Sequence, residues 1–260
     1  MTSFAIAVPL AALIALAAWR LRTLTRSGAI AALLIGSITM GLAGWPGALV
    51  LFAFFLPAIV LSRIGRARKR RLTDIGKHGA RDAAQVLANG GISACALIFG
   101  ALFHRADLAD VAFAGAFAAA AADTWGTEIG TLMRGVPRHI LTSKPVPTGL
   151  SGGVSFAGTI AEFAGAAVVA AATASVGLGA FFTIALAGIF GALLDSILGA
   201  TLQERRYCDA CGRLCETNPH DCGMTTRVIG GLSGFGNDAV NAIATSSGAL
   251  AALLLTVFFA

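Results

Sequence analysis

Ala119-Ala120-Ala121-Ala122-Asp123-Thr124-Trp125-Gly126-Thr127-Glu128 is the stretch on which the reading of this chain turns, because an apolar segment of membrane length ends there in two carboxylates. The pattern recurs. Asp195-Ser196 lies near the end of another apolar stretch, and Asn237-Asp238-Ala239-Val240-Asn241 opens a third. Charge is expensive in hydrocarbon, so acids repeatedly placed at the edges of such stretches are functional-site candidates by default.

Of 260 residues, 57% are hydrophobic and 12% charged, with a mean hydropathy of +0.80. This composition excludes a soluble globular domain. It predicts an all-α, polytopic membrane helical bundle, residues 1–260 forming a single integral membrane domain. A span needs about 20 mostly apolar residues, and about eight transmembrane helices fit, at 3–22, 28–44, 45–62, 82–103, 107–130, 152–174, 178–203 and 236–259. The first is expected to be a span and not a secretory signal, because Arg20 and Arg22 follow its apolar run. The 32 glycines suit close helix packing in lipid.

Eight spans place loops 20–27, 63–81, 131–151 and 204–235 on one side, and these hold every one of the 19 basic residues except Arg105. The positive-inside rule makes that side cytoplasmic and both termini extracytoplasmic. The net charge of +6 is then largely a topology signal, and no nucleic-acid partner is expected. The run Arg66–Arg71 also suits anionic membrane lipids, although topology alone explains it.

With that orientation the polar motifs share the cytoplasmic half of the bundle. Asp123 and Glu128 end the fifth span. Ser151, Gly152 and Gly153 begin the sixth, which carries Glu162 deeper. Asp195 ends the seventh, Asn237, Asp238 and Asn241 begin the eighth, and Asn89 lies early in the fourth. Gly188, Gly191, Asp195, Gly199 and Gln203 fall on one helical face, as do Ser151, Ser155, Gly158, Glu162 and Gly165. The glycines alone read as packing seams. Acids on the same seams favour a buried polar site facing the cytoplasm.

Carboxylates with Asn and Gln suit a hard cation such as Mg²⁺, which keeps waters and phosphates around it. Arg134, Arg138 and Lys144 lie in the adjacent loop, and Gly152-Gly153 is placed at a helix N-terminus, which favours anions. Metal-binding acids beside phosphate-binding cations read as phosphoryl or nucleotidyl transfer. The loop 204–235 adds Cys208-x2-Cys211-x3-Cys215-x6-Cys222 with His220 nearby. Four thiols within such a span suit a structural Zn²⁺; a redox-inert set of loop cysteines is the other reading.

Arg81-Asp82-Ala83-Ala84-Gln85, Asn89-Gly90-Gly91, Ala122 through Gly130, Ser151-Gly152-Gly153-Val154-Ser155, Gly191 through Gln203 and Asn237 through Asn241 together resemble the DUF92 family of integral membrane proteins. That family includes transmembrane protein 19 and the phytyl-phosphate kinase of tocopherol synthesis. It is distantly similar to dolichol kinase and phosphatidate cytidylyltransferase, whose order of Asp, Lys-Pro loop and Gly-Gly is matched by Asp123, Lys144-Pro145 and Gly152-Gly153. The resemblance implies a membrane kinase converting a lipid-soluble isoprenoid monophosphate, such as phytyl phosphate, to the diphosphate with CTP or ATP as donor. Asp123, Asp195 and Asp238 are then expected to hold Mg²⁺, assisted by Glu128, Asn237 and Asn241. Lys144 and Arg138, with Asn89, Ser151, Gly152 and Gly153, are expected to meet the nucleotide. Two other readings stand beside it: CTP-dependent cytidylyl transfer to the lipid, and a proton-coupled transporter or lipid flippase using Glu162.

Overall fold

In the computed structural model, residues 3–72, 79–133 and 135–259 are described. The helices are α1 (Phe4–Arg20), α2 (Arg26–Arg63), α3 (Arg66–Leu72), α4 (Ala83–Phe103), α5 (Ala106–Leu132), α6 (Phe156–Ser175), α7 (Phe181–Thr201) and α8 (Asn237–Phe259). Among the described residues, α2, α4, α6, α7 and α8 are long and apolar enough to cross a membrane; α1 is apolar but shorter. Their outward faces carry exposed large apolar side chains such as Leu34, Leu102, Phe182, Phe190 and Leu254. So much exposed apolar surface suits lipid and not water.

Helix α2 covers both stretches that the sequence reading assigns to the second and third spans. Gly44 breaks it, with φ 63° and ψ −152°. A straight helix of 38 residues would be roughly 57 Å long, yet the far end returns to the start: Arg63 Nη2 donates to Leu21 O at 3.2 Å. The element is therefore a helical hairpin that turns on one left-handed glycine, with Pro46 just beyond it. An L side chain at that φ is strained, so glycine sits where the chain reverses.

Helix α5 is the centre of the bundle, packed against α2, α4, α6, α7 and α8. Every residue from Val111 to Ala122 is buried. Its alanines let five neighbours approach at once, and Phe113 and Phe117 fill the gaps edge to face at 5.1 Å. The glycine stripes become contacts. A Cβ at Gly191 would lie 2.4 Å from Ala119 Cβ and 2.9 Å from Ala244 O, and one at Gly158 would lie 3.1 Å from Gly126 O.

The helix starts differ from the expected bounds. Helix α6 begins at Phe156, capped by Ser155, whose Oγ accepts from Gly158 N at 3.1 Å. Helix α4 begins with a capping box, in which Asp82 accepts from Gln85 N and Gln85 accepts from Asp82 N. The loops also add strand structure to an otherwise helical fold. β1 (Arg138–His139) pairs antiparallel with β2 (Gly153–Val154), while β3 (Arg205–Cys208) lies between β4 (Arg213–Cys215) and β5 (Arg227–Gly230). These segments are too polar and glycine-rich to extend a membrane helix, so their backbone groups pair locally.

The basic loops gather at one end of the bundle. Thr25 N donates to Arg81 O and Arg81 N to Thr23 O, each at 3.0 Å. Lys69 Nζ reaches Glu128, and Ser151 N donates to Glu216 Oε1 at 3.2 Å. The side chains of Arg70 and Arg71, and residues Lys77 and Arg134, lie outside the described residues.

Candidate functional site

At this end the helices enclose a polar cavity of about 560 Å³. Helix α5 contributes Asp123, Thr127 and Glu128, α6 contributes Glu162, α7 contributes Asp195 and Ser196, and the first turns of α8 contribute Asn237, Asp238 and Asn241. Five cations, Arg22, Arg63, Arg66, Lys69 and Arg81, line the same cavity, Lys69 in contact with Glu128. Thr148 through Ser155 line it too. The cavity thus carries both charges, acids and amides from α5, α6, α7 and the start of α8, and cations from the segments that precede α4.

The acidic wall is tightly built. Gly126 leaves room for the Glu162 side chain: a Cβ there would meet Glu162 Cγ at 2.6 Å and Oε1 at 2.8 Å. Asp195 lies within electrostatic reach of Asp123, Glu162 and Glu216. Its Oδ2 is buried and has no hydrogen-bond partner among the described residues. A buried carboxylate oxygen left unpaired among like charges is costly unless a cation or a proton joins it. Glu128 is different, being held by the buried Lys69 ammonium, which also donates to Leu61 O at 2.7 Å.

Several expected residues therefore meet in one place: Asn89, Asp123, Glu128, Ser151, Gly152, Gly153, Asp195, Asn237, Asp238 and Asn241 all line the cavity. Others depart from expectation. Arg138 and Lys144 are exposed and do not line it; Arg138 Nη1 donates instead to Ser143 O at 2.8 Å. Gly152-Gly153 is not a helix N-terminus: Gly152 turns with φ 78° against Ala200, and Gly153 belongs to β2. The amide end of α6 is already capped by Ser155. Asp123, Asp195 and Asp238 share the cavity without converging as one preformed ligand cluster. The charges acting on Asp195 come from Asp123, Glu162 and Glu216.

Arg81, Lys69 and Glu216 are the site residues that the sequence reading passes over. Arg81 immediately precedes the α4 cap, so its backbone is fixed on both sides, and burial pushes its guanidinium pKa down against the opposing pull of Glu128. Burial pushes the Glu216 carboxyl up, while it accepts from Ser151 N and, at 2.7 Å, from Gln203 Nε2. The visible signal for Arg81 is an Arg directly before a D-x-x-Q capping box; Glu216 carries none, since it follows a cysteine in an irregular loop.

A second, apolar slot of about 100 Å³ runs between α1, α2 and α4. Ala7, Leu10, Ala11 and Ile14 of α1, Ile35, Met40 and Phe52 of α2, and Phe117 of α5 line it. Leu24, Phe55, Arg81, Gln85 and Asn89 line both the slot and the polar cavity. These five residues form the boundary that the two spaces share.

In the 204–235 loop the donor atoms of Cys208, Cys211, His220 and Cys222 lie within 4.8 Å of one another. Cys215, expected as a ligand, is not in this group. It pairs with Arg206 across the small sheet and its thiol donates to Thr217 O at 3.9 Å, and His220 stands in the group in its place.

The family model described as integral membrane protein DUF92 matches residues 9–249. The chain is similar to Protein PGR of Arabidopsis thaliana, 31% identical over 90% of each chain. It is 32% identical to an uncharacterized membrane protein of Synechocystis sp., over 66% of this chain and 69% of that one. It is also 28% identical to the chloroplastic Protein VTE6 of Arabidopsis thaliana, over 90% of this chain and 66% of the relative. No solved structure matches.

Proposed function

The chain belongs to the DUF92 family of integral membrane proteins, and from that premise we propose that it is a membrane phosphotransferase. In this reading it converts an isoprenoid monophosphate, such as phytyl phosphate, to the diphosphate with CTP or ATP. One observation carries the reading: an apolar slot within the membrane helices abuts, across Leu24, Phe55, Arg81, Gln85 and Asn89, a cavity lined by both carboxylates and cations. That shape suits a lipid tail joined to a phosphate, meeting a metal-bound polyphosphate.

The prenyl chain lies in the slot and Arg81 holds its phosphate where the two spaces meet. Arg63 and Arg66, exposed cations of the cavity lining, face the nucleotide phosphates, while Lys69 holds Glu128. The donor set fits Mg²⁺, since the carboxylates of Asp123 and Asp195, with the buried Oδ2 of Asp195 unpartnered among the described residues, match a hard ion that takes one or two carboxylates plus phosphates. Bound there, Mg²⁺ supplies charge neutralisation on the transferring group. Asn237, Asn241 and Ser151 orient the polyphosphate by hydrogen bonds.

A lipid phosphate oxygen attacks the γ-phosphorus, a new P–O bond forms, the β–γ bridging bond breaks, and the nucleoside diphosphate leaves. The attacking oxygen is already ionised near neutral pH, so the side chains position and stabilise and no base is required. Glu162, which alone suggests transport, faces the same cavity as Asp123 and Asp195 and is absorbed into this site.

The same proposal places eight spans across the membrane, counting α1, the two arms of α2, and α4 through α8. The basic end and the cavity then face the cytoplasm, with both termini on the other side. Cysteine accessibility mapping at Ser27 against Phe103 tests that orientation.

The activity test is direct. Purified protein with Mg²⁺, CTP or ATP, and phytyl phosphate should yield phytyl diphosphate by mass spectrometry. No diphosphate from any nucleotide and prenyl phosphate pair overturns the reading, and a cytidylylated lipid in its place assigns the cavity to cytidylyl transfer.

A further inference from the structure

The 204–235 loop has little core of its own. Met224, Val228, Ile229 and Leu232 are exposed, and within it only Cys208, Cys215 and His220 are buried. A polar segment with so few buried side chains cannot offset the entropy of ordering by apolar burial alone, and small units of this kind are held by cross-links or metals. Two turns supply the candidate. In the first, Gly212 N donates to Cys208 O at 2.9 Å and Gly212 adopts φ 65°, which presents Cys208 and Cys211 together. In the second, Gly223 N donates to His220 O at 2.8 Å and presents His220 with Cys222.

We propose that Cys208, Cys211 and Cys222, with His220 through Nδ1, bind one Zn²⁺ as a closed structural site. The separations support it: Cys208 to Cys222 is 3.6 Å between sulfurs, Cys211 Sγ to His220 Nδ1 is 3.6 Å, and His220 Nδ1 to Cys222 Sγ is 3.2 Å. Tetrahedral zinc with three sulfur and one nitrogen ligand sets such edges at roughly 3.5–3.8 Å. An all-sulfur-and-imidazole donor set with no carboxylate selects zinc over the oxygen-seeking Mg²⁺ of the cavity. With all four positions filled by protein, the ion holds structure and performs no chemistry.

The site has a place to act. Glu216 lies between the two turns and accepts from Ser151 N and Gln203 Nε2 at the cavity wall. The zinc clamp thereby fixes the one loop carboxylate that reaches the membrane cavity. Metal binding stands apart from the phosphotransfer reading; only the consequence at Glu216 touches that site.

Elemental analysis of the detergent-purified protein, prepared under reducing conditions, tests the assignment. About one zinc per chain is expected, lost in Cys222→Ser and His220→Ala and kept in Cys215→Ser. Cobalt substitution of the wild type should give the thiolate-to-metal absorption of a three-sulfur site. Zinc should also protect Cys208, Cys211 and Cys222 from maleimide while chelation exposes them, a readout that needs no variant to fold. A wild type that neither carries nor takes up zinc overturns the proposal, as does metal lost in Cys215→Ser and retained in His220→Ala.

Discussion

The membrane bundle and the 204–235 loop both deliver carboxylates to one cavity, by opposite means. In the bundle, Asp123, Glu162 and Asp195 stand on helices whose backbones nearly touch, as at Gly126 against Glu162 and Gly191 against Ala119. Their positions are fixed by packing over many turns. In the loop, Glu216 is placed by two hydrogen bonds and by two short turns whose side chains converge on a common point. One wall of the site is rigid because its helices have no room to shift. The other is only as rigid as a few local contacts, so the two walls should fail differently.

The largest effect is expected where the bundle holds charge. Asp195→Asn removes a buried anion next to Asp123 and Glu162, and turnover should fall by about 10²–10³-fold with folding intact, read from initial rates beside the unfolding curve. If Asn at this position leaves the rate unchanged, the acidic wall is packing and not chemistry.

Next is the seam itself. Gly191→Val drives methyl groups into Ala119 and the Ala244 carbonyl, and should destabilise the protein by about 1–3 kcal/mol. Denaturation in detergent measures it, and an equal loss from Gly230→Val in the loop, where a Cβ would meet only the Arg205 guanidinium at 3.3 Å, would erase the distinction between the walls.

A smaller effect is expected in the slot. Ala11→Phe fills the space between α1 and α2 and should raise KM for a long prenyl phosphate about tenfold. The KM for a short-chain analogue should change less, with kcat near wild type for both. Equal losses for long and short chains would show that the tail lies elsewhere.

The smallest is at Glu216. Burial raises its carboxyl pKa in the folded protein. A raised acid is easier to keep protonated when folded, so its stabilising contribution is present below the ordinary carboxylate range. It is lost as pH rises through the folded value. Glu216→Gln should flatten that part of the stability profile, and an unchanged profile would mean that Glu216 is not buried at the wall.

Much of the bundle is legible in the sequence because its rules are periodic. Charge partition alone predicts which loops gather, and Leu21–Arg63, Thr25–Arg81 and Ser151–Glu216 contacts do gather them. The reversal between the second and third stretches is where Gly44 stands. The cations were harder. Arg138 and Lys144 are nearer to the acidic motifs along the chain, but both are exposed in the 131–151 loop and neither lines the cavity, while Arg81 and Lys69 come from segments before α4. Spacing likewise favours Cys215 over His220, and only the strand register, which pairs Cys215 with Arg206, reverses that choice. The slot was invisible because its walls come from three separate segments, each merely apolar by itself.

The central claim is that the cavity transfers a γ-phosphoryl group to a lipid phosphate. The most direct measurement supplies the purified protein and its Asp195→Asn variant with Mg²⁺, prenyl monophosphate and CTP labelled differently at the α- and γ-phosphates, with labelled ATP run in parallel. The account predicts γ-label in prenyl diphosphate, no α-label in the lipid, and little of either with the variant. Label from the α-phosphate in the lipid, or γ-transfer undiminished in Asp195→Asn, would contradict it.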